Sequence, residues 1–292
     1  MELDMANVQE TVHYYHAEAG VLHAQLQRPL QQEIKPQAFV KLHDKPGYLS
    51  ERAENYRLEG IISFKSAYTH VSGHESLKEH ERWITLSTSV VEGLNIFEVV
   101  TADRIVGQIS TEHPRDGGVP HVTFLGTRFE NLKIAGREVH VRLNLNTCGP
   151  KPAGNGFYLE DESFLKNVSD HHLRVKASFS EDVHSKYQVN RPALADLREQ
   201  WNAYMEDESG KVKKPEVAVE TSLVTELRVD GWKSAGHVIE VPEFGKIFLA
   251  ELKVDCNTFS LAMLRFKMGC IGHGSGTAGT NVVNGGGKTG GG

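Results

Sequence analysis

The most regular pattern in this chain has a period of two. In "NLKIAGREVHVRLNL", Val139, Val141, Leu143 and Leu145 alternate with His140, Arg142 and Asn144, as in a strand with one wet face. "HLRVKASF" repeats the alternation with Leu173, Val175, Ala177 and Phe179 on one side. So does "TFSLAMLRFKMGCI", where Ala262, Leu264, Phe266 and Met268 alternate with Met263, Arg265 and Lys267. Further strand-like runs are "YRLEGIISFKSAY", "WITLSTSVV", "VVTADRIVGQIS", "VTFLGTRF", "EVAVETSLVTELRV" and "GHVIEVPEFGKIFLAELKVD". Turn clusters such as "EHPRDGGVPH" and "TCGPKPAGNG" punctuate them. Roughly ten strands result.

One stretch has a helical period. In "NRPALADLREQWNAYMEDESG", Asn190 can cap and Pro192 sits in the first turn. Leu194, Leu197, Trp201, Tyr204 and Met205 form one apolar stripe, and Gly210 can end the helix. Near the N-terminus, Val12, Tyr15, Ala19, Leu22 and Leu26 have a looser helical spacing, bracketed by Pro29 and Pro36. Strands do not alternate with helices, so a parallel α/β fold is disfavoured. The expectation is a mainly β fold: an antiparallel β-sandwich or jelly-roll-like structure with one packed α-helix at about 191–208 and extended N- and C-terminal arms. Residues 1–55 read as an arm or short helix, 56–271 as the β-rich domain with 147–156 as an alternative sub-boundary, and 272–292 as a Gly-rich tail. A short likeness between "ENLKI" at 130–134 and "AELKV" at 250–254 favours one continuous unit.

The glycines of the tail imitate two nucleotide motifs and complete neither. Gly287, Lys288 and Thr289 fit the end of a phosphate-binding loop, but Val282 stands where its first glycine is needed and no helix can follow. Gly274, Gly276 and Gly279 satisfy G-x-G-x-x-G without the helix and the acidic residue of a dinucleotide site. A Gly-rich segment has high backbone entropy and little side chain to bury. It reads as a flexible arm that gains order by docking onto a neighbouring copy.

Composition narrows the field further. The 292 residues are 39% hydrophobic and 24% charged, an ordinary globular balance. Net charge is −6 and no Lys/Arg cluster pairs with aromatics, which argues against nucleic acid. No apolar run reaches the roughly 20 residues of a membrane span. "MELDMANVQETVHYYH" has neither the basic nor the apolar region of a secretory signal, so the cytoplasm is the default location. Cys148, Cys256 and Cys270 lack metal or redox spacing and read as isolated thiols.

"SVVEGLNIFEVVTADRIVGQIS" followed by "FLGTRFENLKIAGREVHVRL" resembles bacterial β-rich surface proteins of the choice-of-anchor type. Thr101, Ala102 and Asp103 match one stretch of that pattern; Gly126, Leu132, Ile134, Gly136 and Val139 match the next. "VIEVPEFGKIFLAEL" resembles a later strand pair of the same kind. The resemblance implies an extracytoplasmic structural protein with no catalytic residues to carry over. The chain departs from it in showing no signal peptide.

Candidate chemistry is sparse. His70, His74 and His80 are interleaved with Glu75, Glu79 and Glu81, and a zinc or iron site would need three such ligands on one point. Ser72 and Gly73 argue instead for a solvated loop. "HYYH" at 13–16 and "DHH" at 170–172 are weaker imidazole clusters. Glu160, Asp161 and Glu162 in "FYLEDESF" offer carboxylates beside aromatics, the makings of a glycosidase pair or a carbohydrate-binding lip; solvated turn charge is the alternative. No residue is assigned a catalytic, cofactor or metal role. The leading expectation is a non-enzymatic structural protein, a surface-layer, sheath or filament subunit, that forms homo-oligomers through β-edges and terminal arms. A carbohydrate-binding sandwich is the alternative, and a metal-dependent hydrolase the second.

Overall fold

The computed structural model describes residues 13–28, 31–58, 60–76, 82–115, 118–152, 157–171, 218–230, 234, 236–256, 258–269 and 273–284. Over these the chain is a sandwich of two antiparallel sheets. Sheet A contains β1 (Tyr15–Arg28), β2 (Gln32–Gln37), β3 (Val40–Asp44), β12 (Ala218–Ser222), β14 (Val238–Val241), β15 (Gly245–Asp255), β16 (Thr258–Met268) and β17 (His273–Asn284). Its order is β12-β15-β16-β17-β1-β2, with β14 also on β15 and β3 also on β1. Sheet B contains β4 (Gly47–Leu58), β5 (Ile62–Ser76), β6 (Arg82–Ile96), β7 (Val100–Pro114), β8 (His121–Thr123), β9 (Arg128–Glu130), β10 (Lys133–Ile134), β11 (Arg137–Leu143) and β13 (Val224–Val229). Its order is β13-β11-β10-β7-β6-β5-β4, with β8 and β9 also on β7. The helix α1, covering 162–171, lies between β11 and β12 in the chain. The mainly β sandwich expected from the two-residue period is therefore what the chain forms. The helix expected at 191–208 and the strand expected at "HLRVKASF" fall outside the described residues.

Both ends of the chain differ from the arms expected of them. Residues 15–28 form a strand, and their helical spacing has a physical cause. Pairing with β17 runs in register up to Gly20↔Thr280, steps over Val21 and Gly279, and resumes at Leu22↔Ala278. The buried residues Ala17, Ala19, Leu22, Ala24 and Leu26 thus follow a period of two with one extra residue, which shifts the pattern enough to imitate a helix. The step crosses the whole sheet. β16 skips Met263 against Gly279, and β15 skips Ala250 against Met263. Ala250 and Gly279 have φ of +48° and +73°, so four neighbouring strands kink along one line.

Residues 273–284 are not a tail. They form β17, paired on one side with β1 and on the other with β16. Their glycines serve packing. A Cβ on Gly276 would meet the ring of Phe266 and the Cβ of Ala24. Both neighbours are buried, so the small residue lets them close over the strand. The likeness between 130–134 and 250–254 carries no structural repeat either, since the first spans the end of β9 and the two-residue β10 while the second lies within β15.

The core lies between the sheets. β1 packs on β5 and β6, and β17 on β6 and β7. Ala17, Leu22, Leu26, Leu261 and Val283 face Ile62, Ala67, Val71, Val91 and Ile109 across it. A polar strip interrupts this apolar layer. Asn281 Nδ2 donates to Ser89 Oγ at 2.8 Å, and Ser87 Oγ lies 2.6 Å from Glu18 O and 3.1 Å from Asn281 Oδ1. All three polar side chains are fully buried. Gly107 makes the room, since a Cβ there would collide with Asn281 and Met263. Asn281→Ala leaves the buried Ser89 hydroxyl without the Asn281 donor, while Ser87 keeps the Glu18 carbonyl, and should cost about 1–3 kcal/mol. Chemical denaturation with an unchanged slope and a lower midpoint would show it.

Candidate functional site

Two of the exposed aromatic residues, Tyr48 and Tyr68, lie on the outward face of sheet B. Strands β5, β6 and β7 are each 15 residues long and pair in register along most of their length. Register places Tyr68, Val90 and Val106 in one outward row, His70, Thr88 and Gln108 in the next, and Ser72, Leu86 and Ser110 in the third. β4 adds Arg52, Ser50 and Tyr48 to these three rows. On β5, β6 and β7 these three rows are uncharged, while Arg52 on β4 is bridged to Glu54. Ionic groups bracket the rows: Ser66 donates to Glu92 at 2.7 Å and Arg104 lies 3.5 Å from Glu92 at one end, and Arg82 meets Glu112 at 2.8 Å at the other.

Two tyrosines stand out. Tyr48 is 64% exposed and its ring meets the His70 ring edge-on, 4.3 Å between centroids at 88°. Tyr68 is 39% exposed, and its hydroxyl accepts from Arg104 Nη2 at 3.3 Å. Arg104 is on β7, so the two side chains meet across β6, about 10 Å of sheet. Val90, directly opposite Tyr68 on β6, is buried even though it points outward. The His70 Nε2 atom is buried without a hydrogen-bond partner, and burial lowers the pKa of this imidazole, which keeps it neutral.

The edge beside this face is β4. It pairs with β5 alone, and none of its twelve residues is buried. Among the described residues the other strands ending a sheet are shorter: β12 has five residues, β13 has six, and β2 has six including Pro36. A positive φ at Asn55, where the β4–β5 pairing steps over Asn55 and Lys65, leaves Gly47–Glu54 as the regular part of the edge. Glu51, Arg52 and Glu54 give it charges of both signs, with Arg52 and Glu54 bridged at 2.6 Å.

The sites expected from the sequence are distributed otherwise. His70 and His74 sit on the same face of β5, four residues and about 13 Å apart along an extended strand, too far to share a metal. His80 lies outside the described residues, and Glu75 is paired with Arg115. Among the described residues no group of three or more histidines, cysteines or carboxylates is placed to hold a metal ion. The "FYLEDESF" run is a helix start and a piece of core. Asp161 Oδ1 accepts from the Phe164 N–H at 2.6 Å as an N-cap, and Tyr158 and Phe164 are buried against Phe259 and each other. Cys148 is buried, which pushes its thiol pKa far up, and Cys256 is exposed. The sequence reading missed the β4 edge and Tyr48, because both fell in the segment assigned to an arm.

A second imidazole cluster lies at the end of the sandwich. The His13 ring stacks on Trp83 at 4.7 Å and 9°, and the rings of His13 and His113 are 4.7 Å apart. His113 Nε2 lies 3.2 Å from the carbonyl oxygen of Asn284, while His113 Nδ1 and both nitrogens of His13 have no hydrogen-bond partner. Burial lowers the His13 pKa to about 4. For His113, burial first and then the neighbouring imidazole lower it to about 3. Sheet A carries one more charged cluster on its outer face, where Arg265 grips Glu251 through two bonds of 2.6 and 2.7 Å and lies 3.6 Å above the Phe248 ring.

A family model described as "Domain of unknown function (DUF8256)" matches residues 13–255. The match runs from the buried His13 to the end of β15, and the two strands that complete sheet A lie beyond it. No curated protein and no solved structure matches the chain.

Proposed function

We propose that this chain, which belongs to the family described as Domain of unknown function (DUF8256), is a non-enzymatic structural subunit that assembles with copies of itself through the open edge of β4. The observation that carries this reading is the edge itself. A free strand edge is a row of unpaired N–H and C=O groups, a template for another strand. Sheets that stay single blunt such edges with short strands, proline, bulges or charge. The strands at the other sheet ends are short, and β2 also carries a proline. β4 is long, and its Glu51, Arg52, Glu54 and Arg57 carry both signs, so two antiparallel copies can bring opposite charges together.

Light scattering on the eluting protein tests it. The wild type should exceed the 32.4 kDa of one chain. Glu51→Lys with Glu54→Lys leaves every charge on the edge positive, which repels a second copy in any register. This variant should elute as a single chain with unchanged thermal stability, because both residues are exposed. A wild type that remains a single chain at high concentration overturns the proposal.

A further inference from the structure

We propose that the outward face of sheet B between Tyr48 and Tyr68 is a binding platform for a neutral, linear oligosaccharide. The inference goes beyond assembly and stands without it. It rests on three observations. First, two exposed aromatic rings stand on one flat sheet face, Tyr48 in the row of Ser72 and Tyr68 two rows away. Four residues of rise separate these rows, about 13 Å. That distance suits a chain of several sugar units rather than a single ring. The apolar face of a pyranose stacks on an aromatic ring, and tyrosine offers such a surface with little side-chain entropy to lose.

Second, the strip between the rings carries groups that suit hydroxyls. His70, Thr88, Gln108 and Ser110 line it, and the His70 Nε2 atom is buried without a partner beside Tyr48. A buried imidazole nitrogen with nothing to bond is costly in the free protein, and a shift of the Tyr48 ring as it stacks on a sugar would open it to a ligand hydroxyl. Third, the charged groups on this face are already engaged with opposite charges, Arg52 with Glu54, Arg104 with Glu92 and Arg82 with Glu112. A polyanion or a charged peptide would have to compete with these pairs for a counter-charge. An uncharged, hydroxyl-rich chain leaves no charge buried.

Isothermal titration of the full chain with cellohexaose, chitohexaose and mannohexaose, and with an acidic oligogalacturonate, tests the platform. At least one neutral probe should bind, and the acidic one should not. Tyr48→Ala and Tyr68→Ala should each weaken binding about tenfold. Tyr68 lies on β5, one strand in from the edge, so its variant should keep the wild-type mass in light scattering. Lost sugar binding at unchanged mass is therefore a failure of the platform alone. The proposal is overturned if no neutral probe binds at millimolar concentration, if the acidic probe binds as well as the neutral ones, or if both tyrosine variants bind as the wild type does. A second copy stacked on this face would produce the first of these outcomes.

Discussion

A chain ended at residue 272 should not fold. The truncated protein should show no cooperative thermal transition and should accumulate as insoluble material. The reason is the position of β17, which hydrogen-bonds to β1 along one side and to β16 along the other. Removing it opens two new edges in the middle of sheet A. It also uncovers Ala17, Leu22, Leu261 and Phe266 and takes away Asn281, which bridges to Ser87 and Ser89 on the other sheet. Folded domains hold a margin of about 5–15 kcal/mol, and the loss of one central strand exceeds it. Gly276→Val asks the same question with one residue. Its side chain must displace the Phe266 ring or the Ala24 methyl in a buried layer, and overpacking of that kind costs about 1–3 kcal/mol. A truncated chain that melts cooperatively, or a valine variant as stable as the wild type, would mean that β17 does not occupy the centre of the sheet.

The second large effect is loss of stability in acid. His13 and His113 are buried with pKa lowered to about 4 and about 3, against the usual 6.5. Both are neutral in the folded state and take up protons readily once unfolded. Their stabilising contribution is therefore complete above pH 6.5, declines as the pH falls below that value, and is lost at about pH 3. Each unit of depression corresponds to about 1.4 kcal/mol, so the pair together represents several kcal/mol. The melting temperature should be flat above pH 6.5 and fall steeply below it. In the double variant His13→Phe/His113→Phe the fall should be shallower, with the less buried His16, His23 and His70 and the carboxylates left to titrate. Parallel curves for the two proteins between pH 6.5 and 4 would exclude the imidazoles as the cause.

The period of two was sufficient for the architecture, and its exceptions show where sequence reasoning stops. β11 is legible because polar and apolar residues alternate along it, and β16 because alternation holds on either side of the step at Met263. β1 is not, because the extra residue at Val21 breaks the alternation into a helix-like spacing. β17 is illegible for a different reason. Glycine is read as flexibility when the partners that need the space, Phe266 and Ala24, lie elsewhere in the chain. β6 inverts the usual rule. Ser87 and Ser89 are buried while Ile84 and Leu86 face outward, because Asn281 and the Glu18 carbonyl supply polar partners inside. The surface strip of Tyr48, His70 and Tyr68 could be anticipated only once β4 and β5 were known to be paired. Its residues are distant in sequence, and adjacency comes from the register Tyr48↔Ser72.

β1 and β17 are neighbours in the sheet and lie at opposite ends of the described sequence. During synthesis, β1 therefore leaves the ribosome long before the strand that will cover its flank exists. Until residues 273–284 have emerged, one side of β1 offers bare amides to any extended polypeptide nearby. The sandwich cannot close before those residues emerge, and until then the unfinished sheet must be shielded from its neighbours.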